Sequence, residues 1–173
     1  MKRLILSIAL ALMLIASFAI PALADTTAGV TVTATPGWVS ITNAPIDYDF
    51  DVVLAGSTPN TGNGHFTITN DSTVAMDVSI ECDGWTGDPN SWTYGAPAAD
   101  TGRLNASSAD GGVGGSSGAG AFDIAILVGS GTLLCDDVTV GTTPTWELEL
   151  EAPTSFTHVD EQETTVTLTA SVD

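Results

Sequence analysis

The sequence predicts an all-β protein, and two observations indicate this fold class. Apolar and polar residues alternate with a period of two in several stretches, as in strands of antiparallel sheets that have one buried and one solvated face. Clusters of Gly, Pro, Asn and Asp separate these stretches at short intervals, which is typical of two packed antiparallel sheets. We therefore predict a single antiparallel β-sandwich of Ig-like type with about seven to ten strands.

Four stretches show the alternation most clearly. In residues 145–151, Trp146, Leu148 and Leu150 fall on one face and the glutamates between them fall on the other. This pattern predicts a strand with one buried and one solvated face. The same pattern predicts strands at residues 47–54, 73–82 and 164–172. Shorter or less regular patterns predict further strands at residues 30–35, 38–42, 65–69, 91–94, 121–128 and 133–140.

Residues 1–24 have the composition of a secretory signal peptide. Two basic residues precede an apolar stretch, and the small residues Ala22 and Ala24 fit the cleavage site. The apolar stretch is too short for a comfortable membrane span. We therefore predict cleavage after Ala24 and a mature chain of residues 25–173 without a transmembrane segment. The expected location is secreted, extracellular or at a cell surface.

The predicted mature chain is strongly acidic. It holds all 21 Asp and Glu residues of the sequence but only one cation, Arg103. Because nucleic-acid binding depends on cations that displace counterions from phosphates, this balance argues against a nucleic-acid partner. Residues 25–173 have the size of one domain, in which the Gly- and Ser-rich residues 109–120 are predicted to form a surface loop. Salt that screens the repulsion between copies should favour assembly.

Cys82 and Cys135 are the only cysteines of the chain. An isolated pair in an oxidising compartment is usually oxidised, so we predict one disulfide that joins two strands. A zinc site is not expected, because the cysteines and histidines lack the close paired spacing of such sites.

The carboxylates allow two interpretations. Asp47, Asp49 and Asp51 alternate along one stretch, and the predicted disulfide would bring Asp83 and Asp136 near one another. Oxygen ligands of this kind suit calcium, so calcium binding at these residues is one hypothesis. The stretch is not an EF-hand, because it lacks the glycine and the final glutamate of that loop. The alternative is a solvated acidic surface suited to saline surroundings, and no other cofactor is expected.

Catalytic motifs are not convincing in this sequence. Residues 114–118 match G-x-S-x-G, but they lie in a glycine tract instead of a strand-to-helix turn. Residues 100–102 resemble the Asp-Thr-Gly motif of aspartic proteases, but the chain carries no second copy. We therefore predict that the protein is not an enzyme. Trp85, in a turn-rich stretch, is the best candidate for an aromatic side chain that stacks on a sugar; the alternative is a tryptophan that packs on the core.

Residues 64–80 read as a strand, a turn at residues 70–73 and a second strand. This hairpin resembles one that recurs in secreted surface β-sandwich proteins of bacteria and archaea, including the biofilm-fibre and camelysin-like proteins. The resemblance covers this hairpin only, and no functional residue is carried over from it. It implies an extracellular structural role, because those proteins often assemble into filaments.

These observations predict a secreted, non-catalytic structural protein that forms part of a cell surface, a matrix or a filament. The expected partners are other copies of the chain or other cell-envelope proteins. In one version, residues 25–35 pair with an open sheet edge of a neighbouring subunit, because an unpaired edge is a template for another strand. The alternative is an extracellular module that binds carbohydrate or calcium.

Overall fold

The computed structural model describes residues 33–108 and 121–172. The predicted signal peptide, most of residues 25–35 and the predicted loop at 109–120 lie outside these ranges. The described part is all-β and contains no α-helix, which confirms the predicted fold class at this level. It accordingly holds no helix of sufficient length and apolar character to cross a membrane.

The described ranges form eleven strands, of which β4, β5, β7 and β10 have only two residues. Their bounds are β1 Ile41–Ala44, β2 Phe66–Asn70, β3 Met76–Cys82, β4 Thr86–Gly87, β5 Thr93–Tyr94, β6 Thr101–Ser108, β7 Ile124–Ala125, β8 Thr132–Val138, β9 Thr145–Glu151, β10 Gln162–Glu163 and β11 Val166–Ser171.

Two main sheets organise these strands. The larger sheet has the order β1-β2-β9-β6-β5, with β7 also paired to β6, and the second has the order β11-β3-β8. A two-stranded sheet pairs β10 with β4. All named strand pairs are antiparallel except β5 with β6. The predominance of antiparallel pairing agrees with the alternating sequence pattern.

Both main sheets contribute to one hydrophobic core. Alternate residues of β2 and β3 are buried, as a period of two requires for strands with one inward face. The Phe66 ring of β2 stacks on the Trp146 ring of β9 with 4.4 Å between centroids. The fully buried residues of the core include Ile68, Met76, Val78, Ile80, Ala106, Leu134 and Cys135.

Strand β9 has the bounds that the alternation predicts, but its glutamate face is not fully solvated. Glu147 is only 1% exposed, and its Oε1 accepts the Gly64 N–H at 2.8 Å. Residues 57–61 run along the edge of β9: the Thr61 N–H donates to the Leu148 carbonyl at 2.9 Å, and the Leu150 N–H donates to the Pro59 carbonyl at 2.9 Å. The sequence pattern shows which side chains share a face, but not which chain segment covers that face.

The predicted strand at residues 47–54 is wrong, because this stretch is an irregular loop after β1. The Asp51 N–H donates to Asp49 Oδ1 at 2.7 Å, and Asp51 has a φ of 53°. Such a local side-chain bond and left-handed backbone break an extended path. The Tyr48 ring packs on Phe50 and on His65, while Val52 is 89% exposed. The alternation of apolar and polar residues in this stretch is therefore not accompanied by strand pairing.

Several other predicted strands are shorter than expected. Residues 121–128 contain only the two-residue strand β7, and residues 91–94 contain only β5. The strand predicted at 38–42 begins later, at Ile41. Residues 33–35, the described part of the stretch predicted at 30–35, are not in a strand.

We predict that the two adjacent leucines of β8 differ sharply in their contribution to stability. Leu134 is fully buried and Leu133 is 42% exposed. Leu134→Ala should lower the free energy of unfolding by about 2–5 kcal/mol, because it leaves a cavity in the core. The control Leu133→Ala should change it by about 0.5 kcal/mol or less. Urea unfolding of both variants measures the difference; the reverse ranking would mean that β8 is shifted by one residue.

Candidate functional site: the open sheet edge and the acidic surface

The two edge strands of the sheet β11-β3-β8 are β8 and β11, and they differ in how well they are protected against pairing with another chain. At one edge, β8 pairs with β3 through two register shifts, and Asp137 has a φ of 50°. Asp136 and Asp137 are exposed on this strand. Bulges and charges are features with which natural edge strands avoid pairing with other chains. The β8 edge is therefore a poor template for a further strand.

The β11 edge lacks these features. Six consecutive Cα pairs join β11 to β3, from Val166 with Cys82 to Ser171 with Asp77, and no shift interrupts them. Residues 164–172 contain no charged residue and no proline. Among the described residues, no strand pairs with the outer side of β11. A regular, uncharged edge of this kind is a template for strand addition.

The hydrogen-bonding groups at this edge can be assigned from the register. The Asp83 N–H donates to the Thr165 carbonyl at 3.1 Å, on the β3 side. Because alternate residues of an antiparallel strand exchange both hydrogen bonds with the partner, the next residues that face β3 are 167, 169 and 171. The N–H and C=O groups of Val166, Leu168 and Ala170 therefore point to the outer side of the sheet.

The side chains of the same residues leave apolar surface only partly covered. Val166, Leu168 and Ala170 pack against the core but are partly exposed, whereas their partners in β3 are buried. The outward side chains of β11 are threonine and serine. An added strand with alternating apolar residues would complete both the hydrogen bonding and the burial at this edge.

The first strand of the larger sheet is a less suitable template. β1 has four residues, Ile41–Ala44, and Pro45 follows it directly. A proline cannot donate a ladder hydrogen bond, so it limits the length of strand that can pair there. The β11 edge is thus the longest regular edge among the described strands.

The polar face of the larger sheet carries Arg103, the one cation of residues 25–173. Arg103 Nη2 lies 2.9 Å from Glu151 Oε1, and Asn105 Nδ2 donates to the same oxygen at 2.6 Å. The hydrogen bond from Arg103 lowers the pKa of the Glu151 carboxyl, whereas burial raises the pKa of Glu149. These contacts join β6 to β9, and they engage Arg103 within its own sheet.

The structure corrects the predicted disulfide, because no bond joins Cys82 and Cys135. Cys135 is the Cα partner of Val78 in the β3–β8 pair, four residues before Cys82 along β3. At 3.3 Å per residue this separates the two positions by about 13 Å, and disulfides need Cα atoms within about 7 Å. Both cysteines are instead buried members of the core.

The five aspartates of the calcium hypothesis do not meet at one place. Asp47, Asp49 and Asp51 lie in the loop after β1, Asp83 follows β3, and Asp136 lies in β8. Within residues 33–108 and 121–172, no group of three or more His, Cys, Asp or Glu side chains could hold a metal ion. Since the strand at 47–54 is absent and the disulfide is not formed, both reasons for expecting a cluster are lost. Calcium binding stays a hypothesis.

Trp85 packs as the alternative interpretation predicts. It is partly buried against the core, and its indole N–H donates to the Gly102 carbonyl at 2.9 Å. Its ring lies edge-on to Trp92, with 5.6 Å between centroids, and Trp92 stacks on Phe156. These contacts explain Trp85 as a structural residue, and carbohydrate binding by Trp85 stays a prediction.

A surface cavity lies at the two-stranded β4–β10 sheet. Strand β4 directly follows Trp85 in the sequence. Its volume is about 500 Å³, and it is lined by Thr86, Gly87, Asp88, Glu161 and Glu163. The three carboxylates make the cavity acidic, but they are not among any described group that could hold a metal ion.

Asp100, the acid of the protease-like triplet, has a structural role. Its Oδ1 accepts the N–H groups of Thr157 at 2.6 Å and His158 at 3.1 Å, and the Thr157 hydroxyl donates to Oδ2. The hydroxyl bond and then the backbone bonds hold the pKa of Asp100 below its usual value. The carboxylate fastens the chain after β9 to the turn before β6.

Comparisons of the chain with protein-family models, with curated proteins and with solved structures found no match. The resemblance of the 64–80 hairpin therefore stays a likeness of one hairpin. The open β11 edge was not specified by the sequence, because a strand pattern does not show whether a strand lies at the edge or in the middle of a sheet.

We predict that Asp100 contributes stability that acid removes. Because its pKa is lowered in the folded state, the contribution is present above the unfolded-state value of about 3.9. It is lost as the pH falls through the lower folded-state value. Asp100→Asn should therefore destabilise the protein near neutral pH, and the difference from wild type should shrink in strong acid.

Urea unfolding over a pH series measures this dependence. The matched control is Asp88→Asn, since Asp88 is exposed and accepts no hydrogen bond from the described residues. It should not reproduce the loss of stability near neutral pH that is expected for Asp100→Asn. An Asp100→Asn variant with the wild-type pH dependence would show that the Thr157 and His158 contacts do not stabilise the ionised carboxyl.

Proposed function

We propose that this chain is a secreted, non-catalytic extracellular structural protein that assembles with copies of itself. Its domain would be an antiparallel β-sandwich of Ig-like type. Assembly would occur by strand addition at β11. The single observation that carries this proposal is the regular, uncharged outer edge of β11, with partly covered apolar side chains on its inner face.

The β-sandwich is supported by the shared core. The sheets β1-β2-β9-β6-β5 and β11-β3-β8 both supply buried residues to one cluster. Strands in which apolar and polar residues alternate usually form two antiparallel sheets, each of which buries its apolar face against the other. Such an arrangement leaves the end strands of each sheet open unless they are protected.

Net charge favours β11 over other surfaces as the contact between copies. One arginine against 21 carboxylates gives residues 25–173 a formal charge of −20. Like-charged surfaces repel each other at low ionic strength, and salt screens this repulsion. Residues 164–172 carry no charge, so a strand added at β11 would pair with uncharged residues; the nearest carboxylates of the sheet, Asp77 and Glu81, lie one strand further in, on β3.

Residues 25–35 are suitable as the added strand. Val30, Val32 and Ala34 alternate with threonines, and Asp25 is the only charged residue of the segment. The pattern is close to that of β11 itself, where Val166, Leu168 and Ala170 alternate with Thr and Ser. A neighbour's segment could thus place apolar side chains on the partly covered inner face and form main-chain bonds with the outer edge.

An extracellular location is proposed from the signal-like residues 1–24 and from the charge. No catalytic role is proposed, because the one acid of a catalytic motif in the sequence is explained by structural contacts: Asp100 of the protease-like triplet fastens a neighbouring turn. Other cell-envelope proteins are the alternative occupants of the β11 edge.

We predict that Ala170→Pro abolishes assembly but preserves the fold. The Ala170 N–H points to the outer side of β11, so proline removes a donor for the added strand without removing a bond to β3. Ala170→Ser is the matched control, because it keeps the N–H. Light scattering and electron microscopy of polymers in salt should show assembly for wild type and Ala170→Ser only. Normal polymers of Ala170→Pro would exclude β11 as the acceptor edge.

We also predict that the mature chain without residues 25–30 stays monomeric, since the added strand is lost. The folded state of this truncated chain is checked by circular dichroism and by its unfolding transition. Mixing it with wild type should cap growing polymers, because its β11 edge can still accept a neighbour's strand. Normal polymers formed by the truncated chain alone would exclude residues 25–30 as an essential part of the donor.

A further inference from the structure

Asn63 and Gly64 form the only Asn-Gly dipeptide of the chain. They lie in the turn that leads into β2, and Asn63 is exposed. Its carboxamide makes no hydrogen bond with the described residues, so the side chain can rotate. Gly64 has a φ of 62° and no side chain to hinder an approach to its nitrogen. The dipeptide therefore has the steric freedom that cyclisation of asparagine onto the next backbone nitrogen requires.

The backbone nitrogen of Gly64 is hydrogen-bonded to a carboxylate. Its N–H donates to Glu147 Oε1 at 2.8 Å, and Glu147 is 1% exposed. A general base must lie within about 2.6–3.2 Å of the atom from which it takes a proton. Glu147 meets this condition for the nitrogen that would attack Asn63.

We propose that Asn63-Gly64 is a site of self-modification, in which Glu147 is the general base for deamidation of Asn63. Glu147 takes the Gly64 amide proton while the Gly64 nitrogen bonds to Cγ of Asn63. The Cγ–Nδ2 bond then breaks, and ammonia leaves with the proton that Glu147 returns. Water opens the resulting succinimide at either carbonyl, which gives aspartate or isoaspartate at position 63. No oxidant or further reactant is needed.

The modification would change the contact between residues 57–64 and β9. The imide nitrogen of the succinimide carries no hydrogen, so the bond from Gly64 to Glu147 is lost while the ring exists. Ring opening to isoaspartate adds a methylene to the main chain before β2 and also adds one negative charge. Both changes weaken the attachment of residues 57–64 to the edge of β9. This inference does not depend on the proposed assembly.

The first test compares the folded and unfolded wild-type chain. Purified protein is incubated at neutral pH with and without enough urea to unfold it, and the conversion of Asn63 is followed by peptide mapping with mass spectrometry. Because general-base catalysis contributes about 10²-fold or more, the folded protein should deamidate at least about tenfold faster than the unfolded chain. An equal or slower rate in the folded state would overturn the proposal, since the hydrogen bond would then protect the site.

The second test is Glu147→Gln, which keeps an oxygen acceptor for the Gly64 N–H but is not a base. Folded Glu147→Gln protein should convert Asn63 at least about tenfold more slowly than wild type. Asn90-Ser91 is the internal reference, because Asn90 is exposed and lies in another loop; its rate should not change. If Glu147→Gln leaves the Asn63 rate equal or raises it, the carboxylate is not the base. If the variant does not fold, the wild-type comparison decides.

Discussion

Strand β9 is hydrogen-bonded along both edges, and the rest of the structure depends on this pairing. Six Cα pairs join it to β6, while β2 and residues 57–61 share its other edge. Its inward side chains belong to the core, and its outward glutamates bind Gly64, Arg103 and Asn105. One strand therefore fixes the positions of its neighbours through main-chain bonds, apolar packing and charged contacts together.

The acidic composition has a consistent distribution across the described strands. Carboxylates lie in loops, on β3 and β10, on the bulged strand β8 and on the polar face of β9, whereas β11 has none. Asp136 and Asp137 lie on one edge of the sheet β11-β3-β8, and the other edge is uncharged. This difference cannot be read from alternation, because alternation gives the face of a residue but not the place of its strand in the sheet. The sequence could therefore predict that an open sheet edge is the candidate site, but it could not show which strand forms that edge.

The fold class and the best strands could be predicted because their patterns reflect burial on one face. Residues 145–151 were predicted to the residue, and β3 and β11 lie within their predicted stretches. Residues 47–54 have the same pattern, but a local bond from Asp51 to Asp49 and contacts between aromatic rings replace strand pairing. The predicted disulfide was wrong for a related reason. It was inferred from the oxidising compartment, which gives no information about the strand register that separates Cys82 from Cys135.

The position of Arg103 has a consequence for degradation. It is the only residue of 25–173 after which a protease specific for lysine and arginine would cut. The bond lies inside β6, between strands β9 on one side and β5 and β7 on the other. A protease needs an extended, accessible segment, so cleavage after Arg103 requires that the larger sheet open first. Proteases of this specificity should therefore leave the folded chain intact, and their rate of attack would report how often the sheet opens.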